Sequence, residues 1–262
     1  MSYRSIDLEV RDGVAHLALD QADIGNPFNE IFCNEWLQVA NDLSRRKDVR
    51  AILLTGRGKY FSVGGDIRMF AGSLDELPDR ILQWTAPLHA GCARFARMDV
   101  PMIAAVHGVA MGGAVAMIAN CDLVYAGRSA SFGAAYPSIG YSCDAGASRA
   151  LATRMGVARG RRFLLCGETL EADAAMDVGL VDFVVDAAEL TAAAEAAALR
   201  LANGPTRAFG EIRRLFATAL SQSYEAQLED EAQALSSVAA SADAREGILA
   251  FVEKRKPNFR GE

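Results

Sequence analysis

In this 262-residue chain, two glycine pairs and one isolated acid have the types and spacing to do chemistry. The pairs lie in SVGGD (62–66) and AMGGA (110–114), each ahead of an expected helix. Glycine lets a backbone N–H come close to a ligand, and the first amides of a helix favour negative charge. Two such amides converging on one oxygen would form an oxyanion hole. On pattern alone the same turns also read as ordinary links between strand and helix. Neither fits GxxxxGK(S/T) or GxGxxG, which argues against a nucleotide site of those kinds. The acid is Asp144, the one carboxylate of FGAAYPSIGYSCDAGAS (132–148). Without further context it reads as the N-cap of a helix over 145–155, a role that contributes about 1 kcal/mol.

The remaining polar candidates are weaker. His16, His89 and His107 are scattered and offer no metal-ligand spacing. His89 sits beside the apolar row Trp84, Leu88, Cys92 and Phe95, and by itself reads as a helix-surface histidine. Five cysteines without a CxxC spacing read as free thiols of a reducing cytoplasm. Cys143 adjoins Asp144 and reads as a small buried residue. The chain is 51% hydrophobic and 23% charged, which suits a sizeable core. Its formal charge is −6 and no basic block stands out, so nucleic acid is not an expected partner. The amino terminus is charged from the start, unlike a signal peptide. No stretch approaches the roughly 20 apolar residues of a membrane span. A cytoplasmic protein is expected.

These residues need elements to position them. IDLEVRDGVAHLALD alternates and turns at Asp12-Gly13, which predicts a hairpin. Phe28, Phe32, Trp36, Val39 and Leu43 recur at helical spacing, so a helix starts near Asn29. AILLTG (51–56), PMIAAVHG (101–108) and DLVYAG (122–127) read as buried strands, and SASFG as a short one. FSVGGDIRMF (61–70) and VAMGGAVAMIAN (109–120) read as glycine turns opening helices, with Asp66 near the first turn of one. A helical region covers about 76–98, with Pro87 interrupting it or starting a second helix. Strand, glycine turn and helix therefore recur near 51–72 and 102–120, an α/β organisation that gathers ligands where glycine turns meet helix starts. From about 145 the chain reads as helical, with LVDFVV (180–185) as the one further strand. Residues 186–256 read as several Ala- and Glu-rich helices suited to packing or oligomer contacts.

Four stretches together resemble the crotonase (enoyl-CoA hydratase/isomerase) superfamily: NPFN (26–29), GRGKYFSVGGDI (56–67), PMIAAVHGVAMGGAVAMIANCDLVYAG (101–127) and EGILAFVEKRKPNFRGE (246–262). Their order and spacing match that family over nearly the whole chain. The resemblance implies a crotonase-like spiral of ββα units with a helical C-terminal domain. It divides the chain into a core for binding and catalysis, 1–200, and a helical oligomerisation region, 201–262. It implies a coenzyme A thioester substrate, a homotrimer or homohexamer, and no cofactor or metal, since coenzyme A is part of the substrate. The implied oxyanion hole uses the N–H groups of Gly65 and Gly113. Val63, Gly64, Asp66 and Arg68 fall in the stretch expected to meet coenzyme A. Arg149 is a further candidate for its phosphates. Phe251 and Lys254 match positions that in relatives approach the adenine end from a neighbouring subunit.

Departures from the family pattern narrow the chemistry. Its hydratases hold a water between two glutamates, whose positions here are Ala116 and Tyr136. Adding water needs one group to activate it and another to deliver a proton. Alanine does neither, and a tyrosine with a pKa of about 10 is a poor base at neutral pH. Asp144 lies eight residues after Tyr136 and 31 after Gly113. That is the register of the acid in the family's dienoyl-CoA and ring-type enoyl-CoA isomerases, and of the nucleophile in 4-chlorobenzoyl-CoA dehalogenase. His89 matches a histidine of that dehalogenase. The reading reached is an acyl-CoA isomerase that moves a double bond through a dienolate held in the oxyanion hole, with Asp144 as acid and base. One alternative is a hydrolytic haloaryl-CoA dehalogenase, with Asp144 as nucleophile, His89 as base and Tyr136 in an aromatic cradle. Another is a hydratase-like or non-catalytic acyl-CoA-binding homologue.

Overall fold

A computed structural model describes residues 3–262, so the first two residues of the charged amino-terminal stretch lie outside the described residues. Nine strands form among the described residues: β1 (Ile6–Arg11), β2 (Val14–Leu19), β3 (Ala51–Gly56), β4 (Met102–Val106), β5 (Val109–Met111), β6 (Leu123–Gly127), β7 (Ser131–Gly133), β8 (Thr169–Glu171) and β9 (Phe183–Val185). The larger sheet has the order β1-β2-β3-β4-β6-β9, and the smaller β5-β7-β8. The hairpin forms where the alternation turns. β1 runs antiparallel to β2, with Ile6 opposite Leu19. Asp12 and Gly13 take positive φ, 52° and 77°, the geometry of a two-residue hairpin turn. The other neighbours in the larger sheet are parallel. Residues Ala51–Leu54 of β3 and all of β4 are buried, which is why AILLTG and MIAAV read as unbroken apolar runs.

Three strands differ from the sequence reading. β5 is built from residues read as a glycine turn, and β8 from residues read as helical. Each has three residues, too few for a period to show. Pairing makes them strands: β7 bonds parallel to β5 and antiparallel to β8. The expected strand LVDFVV shortens to β9, and its Leu180 and Val181 are buried in the core instead.

Helices cover both faces of the larger sheet. α1 (Glu30–Leu43) starts at Asn29, whose side chain accepts from the Phe32 N–H at 3.0 Å. Short α2 (Ile67–Ala71) precedes long α3 (Leu77–Arg97). α3 runs through Pro87 without a break. The proline removes one helical N–H, but Leu77, Trp84, Leu88 and Phe95 form a buried row that holds the helix together. α1 and α3 cross closely, since a Cβ on Gly91 would lie 2.6 Å from the Trp36 ring. α4 (Gly113–Ala119) is buried on every side, as its wholly small and apolar sequence requires. Next come α5 (Ala147–Met155), α6 (Val157–Leu165) and α7 (Ala172–Asp177).

α8 (Leu190–Ala202) lays Ala194, Ala197, Ala198 and Ala202 on the sheet, closing a second apolar layer with Val14, Leu53, Ile103 and Tyr125. His16 of β2 pins it through a 2.9 Å contact with Glu195. The expected boundary at residue 200 falls within this helix. α9 (Thr206–Thr218), α10 (Tyr224–Ala239) and α11 (Ala242–Val252) complete the chain. Among the described residues, no helix is long and apolar enough to cross a membrane.

Candidate active site

The two glycine turns meet because three separate stretches are stitched together. Ser62 forms an isolated parallel bridge with Ala110, and Phe28 another with Gly65. Ser62 N–H donates to Val109 O at 3.2 Å, and Met111 N–H to Ser62 O at 3.1 Å. Phe28 N–H donates to Gly64 O at 2.7 Å, which brings in the NPFN stretch. Buried Asn26 places its side-chain nitrogen within 3.1 Å of the carbonyls of Arg57, Tyr60 and Phe61. The Ser62 hydroxyl donates to Asn26 O at 2.7 Å. Gly64 has no substitute here. Its φ is +81°, and a Cβ would lie 2.6 Å from Met111 O.

This stitching opens a cavity of about 210 Å³ lined by Gly64, Gly65, Gly112 and Gly113. Gly112 precedes α4 with φ 53° and ψ −119°, which leaves Gly113 as its first residue. Among the described residues, neither Gly65 N–H nor Gly113 N–H has a protein acceptor. Two unengaged donors on one apolar cavity can receive an oxygen that gains charge.

Asp144 also lines this cavity, and it does not cap a helix with its side chain. α5 begins at Ala147, with Gly146 as N-cap and no side-chain cap bond. Only the Asp144 carbonyl serves the helix, accepting from Ala147 N–H at 2.9 Å. Ala145 and Gly146 both have positive φ, 50° and 79°. Two consecutive left-handed residues separate the acid from the helix start and send its carboxylate elsewhere. The Tyr136 hydroxyl donates to Asp144 Oδ1 at 2.8 Å. That oxygen lies 3.6 Å from where a Cβ on Gly113 would stand, so acid and amide are neighbours. Burial, then the Asp144 charge and hydrogen bond, push the Tyr136 phenol upward. It therefore stays a protonated donor at neutral pH.

His89 lies behind the acid. Its Nε2 accepts from Ala145 N–H at 3.1 Å, and the residue does not line the cavity. An accepting Nε2 carries no proton. Cys33 does line the cavity. Burial, with the Asp144 charge second, pushes its thiol up to about 12. Cys143 is half-buried beside Asp144.

The other expected residues are spread more widely. Val63 and Gly64 line the cavity. Asp66 caps α2, accepting from Met69 N–H at 3.0 Å. Arg68 is exposed at the start of α2. Arg149 donates to Ala217 O and so ties α5 to α9. Phe251, in the last turn of α11, and Lys254, just beyond it, are exposed and do not line the cavity. Ala116 is fully buried within α4. His107 holds Gly58 O at 2.9 Å. Among the described residues, no group of three or more His, Cys, Asp or Glu side chains gathers as metal ligands would.

Sequence reasoning missed Asn26 and Ser62, which hold the turns together, and Phe70 and Tyr141, which line the cavity. NPFN was a visible signal for Asn26. Nothing in the local pattern marked Phe70 or Tyr141, because stretches far apart in the chain bring them together.

Comparison with known proteins agrees with this fold. A family model described as "Enoyl-CoA hydratase/isomerase" matches residues 9–262. A Rhodobacter capsulatus protein named "Probable enoyl-CoA hydratase" is 33% identical over 261 residues, covering 100% of both chains. The 1,2-epoxyphenylacetyl-CoA isomerase of Escherichia coli K12 is 32% identical over 257 residues, covering 97% of both. The crystal structure of an enoyl-CoA hydratase from Polaromonas sp. JS666 superposes with a TM-score of 0.91 at 27% identity, covering 97% of this chain and 99% of that one. The cavity with its two free amides thus sits on a fold shared with such enzymes along nearly its whole length, and the chain belongs to the enoyl-CoA hydratase/isomerase (crotonase) family.

Proposed function

We propose that the protein is an acyl-CoA isomerase that moves a double bond by proton transfer. The carrying observation is that Asp144, held by Tyr136, shares one apolar cavity with the unengaged amides of Gly65 and Gly113. The thioester oxygen accepts from both amides. Asp144 removes a proton from an acyl carbon, and the electron pair moves onto that oxygen as a dienolate. The protonated acid then returns the proton to a different carbon, and the double bond shifts. One carboxylate serves both steps as base and then acid. Each amide contributes about 3–4 kcal/mol at the charged stage. Coenzyme A belongs to the substrate, and the reaction asks for no other cofactor.

Several features support isomerisation over hydration. Ala116 is buried and cannot hold water, and Tyr136 is a donor whose proton burial retains. The names of the relatives include both activities, an isomerase in Escherichia coli and a hydratase in Rhodobacter capsulatus, so the preference rests on the residues of the cavity. Dehalogenation would need His89 as a free base, whereas its Nε2 is engaged outside the cavity. We assign Val63 and Gly64 to the thioester end of coenzyme A. Arg68, and Phe251 and Lys254 from a neighbouring subunit, are assigned to its phosphate and adenine end. The setting is a homo-oligomer in a reducing cytoplasm, which suits five free thiols.

The test is an enoyl-CoA incubated in deuterium oxide and followed by NMR. Deuterium is expected to enter two acyl carbons as the double bond migrates. Asp144→Asn is expected to lose both signals while still binding the thioester. Full exchange in that variant, or a hydroxyacyl product alone, would sink the proposal.

A further inference from the structure

On the reading that a coenzyme A thioester enters the cavity, the cavity walls identify the class of acyl group. Among the described residues they carry five aromatic rings, from Phe28, Phe70, Trp84, Tyr136 and Tyr141. Phe70 is central. Its ring is nearly parallel to Trp84, 9° apart with centroids at 6.0 Å, and to Tyr141, 19° apart at 5.9 Å. Its Cζ comes within 3.1 Å of where a Cβ on Gly65 would lie. The flat faces therefore begin beside an amide that receives the thioester oxygen. The three rings come from α2, α3 and the loop before Asp144. Trp84 is anchored in the core, Phe70 packs against that core while half-buried, and Tyr141 is exposed, so the row of rings runs from the core out to the open side of the cavity.

Size and charge narrow the choice. The volume is about 210 Å³, and an engineered apolar cavity of roughly 150 Å³ takes up benzene. One six-membered ring and a short linker fit that volume. Among the described residues, no Arg, Lys or His lines the cavity, and Asp144 is its one acid. An acyl group bearing a carboxylate would meet a like charge and no cation. The hydroxyls of Thr85 and Ser138 are turned to the carbonyls of Ile81 and Ala135. Val63, Ile67, Ile139 and Tyr141 line the cavity yet remain more than a third exposed, an apolar surface open to an apolar ligand. We propose that the acyl group is an uncharged flat ring, aryl or cyclic and unsaturated, joined to the thioester by a short linker and stacked along Phe70.

Binding tests this without turnover, so it separates the ring pocket from proton transfer. Phenylacetyl-CoA and octanoyl-CoA carry acyl groups of equal carbon number, and succinyl-CoA carries a charge. In calorimetric titrations of the full chain, phenylacetyl-CoA is expected to bind about tenfold tighter than octanoyl-CoA, although octanoyl is the more apolar group. Succinyl-CoA should bind no tighter than free coenzyme A. Phe70→Leu, and Tyr141→Leu in the exposed loop, should each shrink the ring preference and leave the affinity for free coenzyme A unchanged. Equal or tighter binding of octanoyl-CoA, or a preference indifferent to both substitutions, overturns the proposal. Failure of free coenzyme A and every thioester to bind overturns the thioester reading with it. A ring preference without deuterium exchange leaves the pocket standing and removes only the isomerase reading.

Discussion

Tyr136 and Asp144 act as one unit, because the phenol fixes one carboxylate oxygen at 2.8 Å. Tyr136→Phe removes a hydrogen bond to a charged group, worth about 1.5–3 kcal/mol. We expect kcat to fall between about tenfold and a hundredfold with binding nearly intact, as steady-state kinetics would show. The same substitution alters stability at high pH. Folding raises the Tyr136 pKa above its ordinary value, so above about pH 10 the native state keeps a proton that the unfolded chain has lost. Stability contributed by that proton is present below pH 10 and is lost as pH rises further. Urea unfolding at pH 9 and 11 should show a steeper loss in the wild type than in Tyr136→Phe. His89 is a positioning residue through its acceptor bond to Ala145 N–H. His89→Ala should lower kcat about fivefold to tenfold with KM unchanged, and His89→Gln, which keeps an acceptor, should recover most of it. Equal losses in both variants would point to the ring's own proton instead. The register singled out Asp144, which lines the cavity, while its side-chain direction was not legible. The reading as a helix cap failed on the positive φ of Ala145, which no residue type announces.

Elements were legible wherever a period had room to show. The hairpin at Asp12-Gly13, the apolar strands β3 and β4 and the amphipathic α1 all follow the sequence pattern. Elements defined by pairing were hidden. β5 and β8 have three residues each and exist because β7 lies between them. Pro87 misled in the opposite sense, since a buried row on α3 holds a helix that local preference would break. The first glycine turn shows how an element's geometry reaches the chemistry. Gly64 combines positive φ with close contact to Met111 O, and the adjacent amide belongs to Gly65. Gly64→Ala should cost at least roughly 1–2 kcal/mol from the left-handed backbone alone. It should lower Tm and kcat together. A variant that keeps its Tm with wild-type turnover would show that the turn tolerates a side chain.

At the scale of the molecule, two apolar layers lie on opposite faces of the larger sheet, one under α1 and α3 and the other under α8. The carboxy-terminal helices add little to either. Instead Ile212 and Phe216, one turn apart on α9, are 52% and 75% exposed. Such surface suits contact with further copies of the chain, and light scattering is expected to give the mass of a trimer or hexamer. Ile212→Glu combined with Phe216→Glu should reduce that mass, and a monomeric wild type would refute the expectation. The pin that joins the glycine turns also bears on how this protein ages. Asparagine decays when the backbone nitrogen of the next residue attacks the side-chain carbonyl. Asn26 is followed by Pro27, whose nitrogen carries no hydrogen, so that route is closed where three loop carbonyls depend on one amide. Exposed Asn203 is followed by Gly204, the most permissive successor. Asparagine decay in stored protein is therefore expected at the junction of α8 and α9 before it reaches the glycine turns, which peptide mapping of aged samples would show.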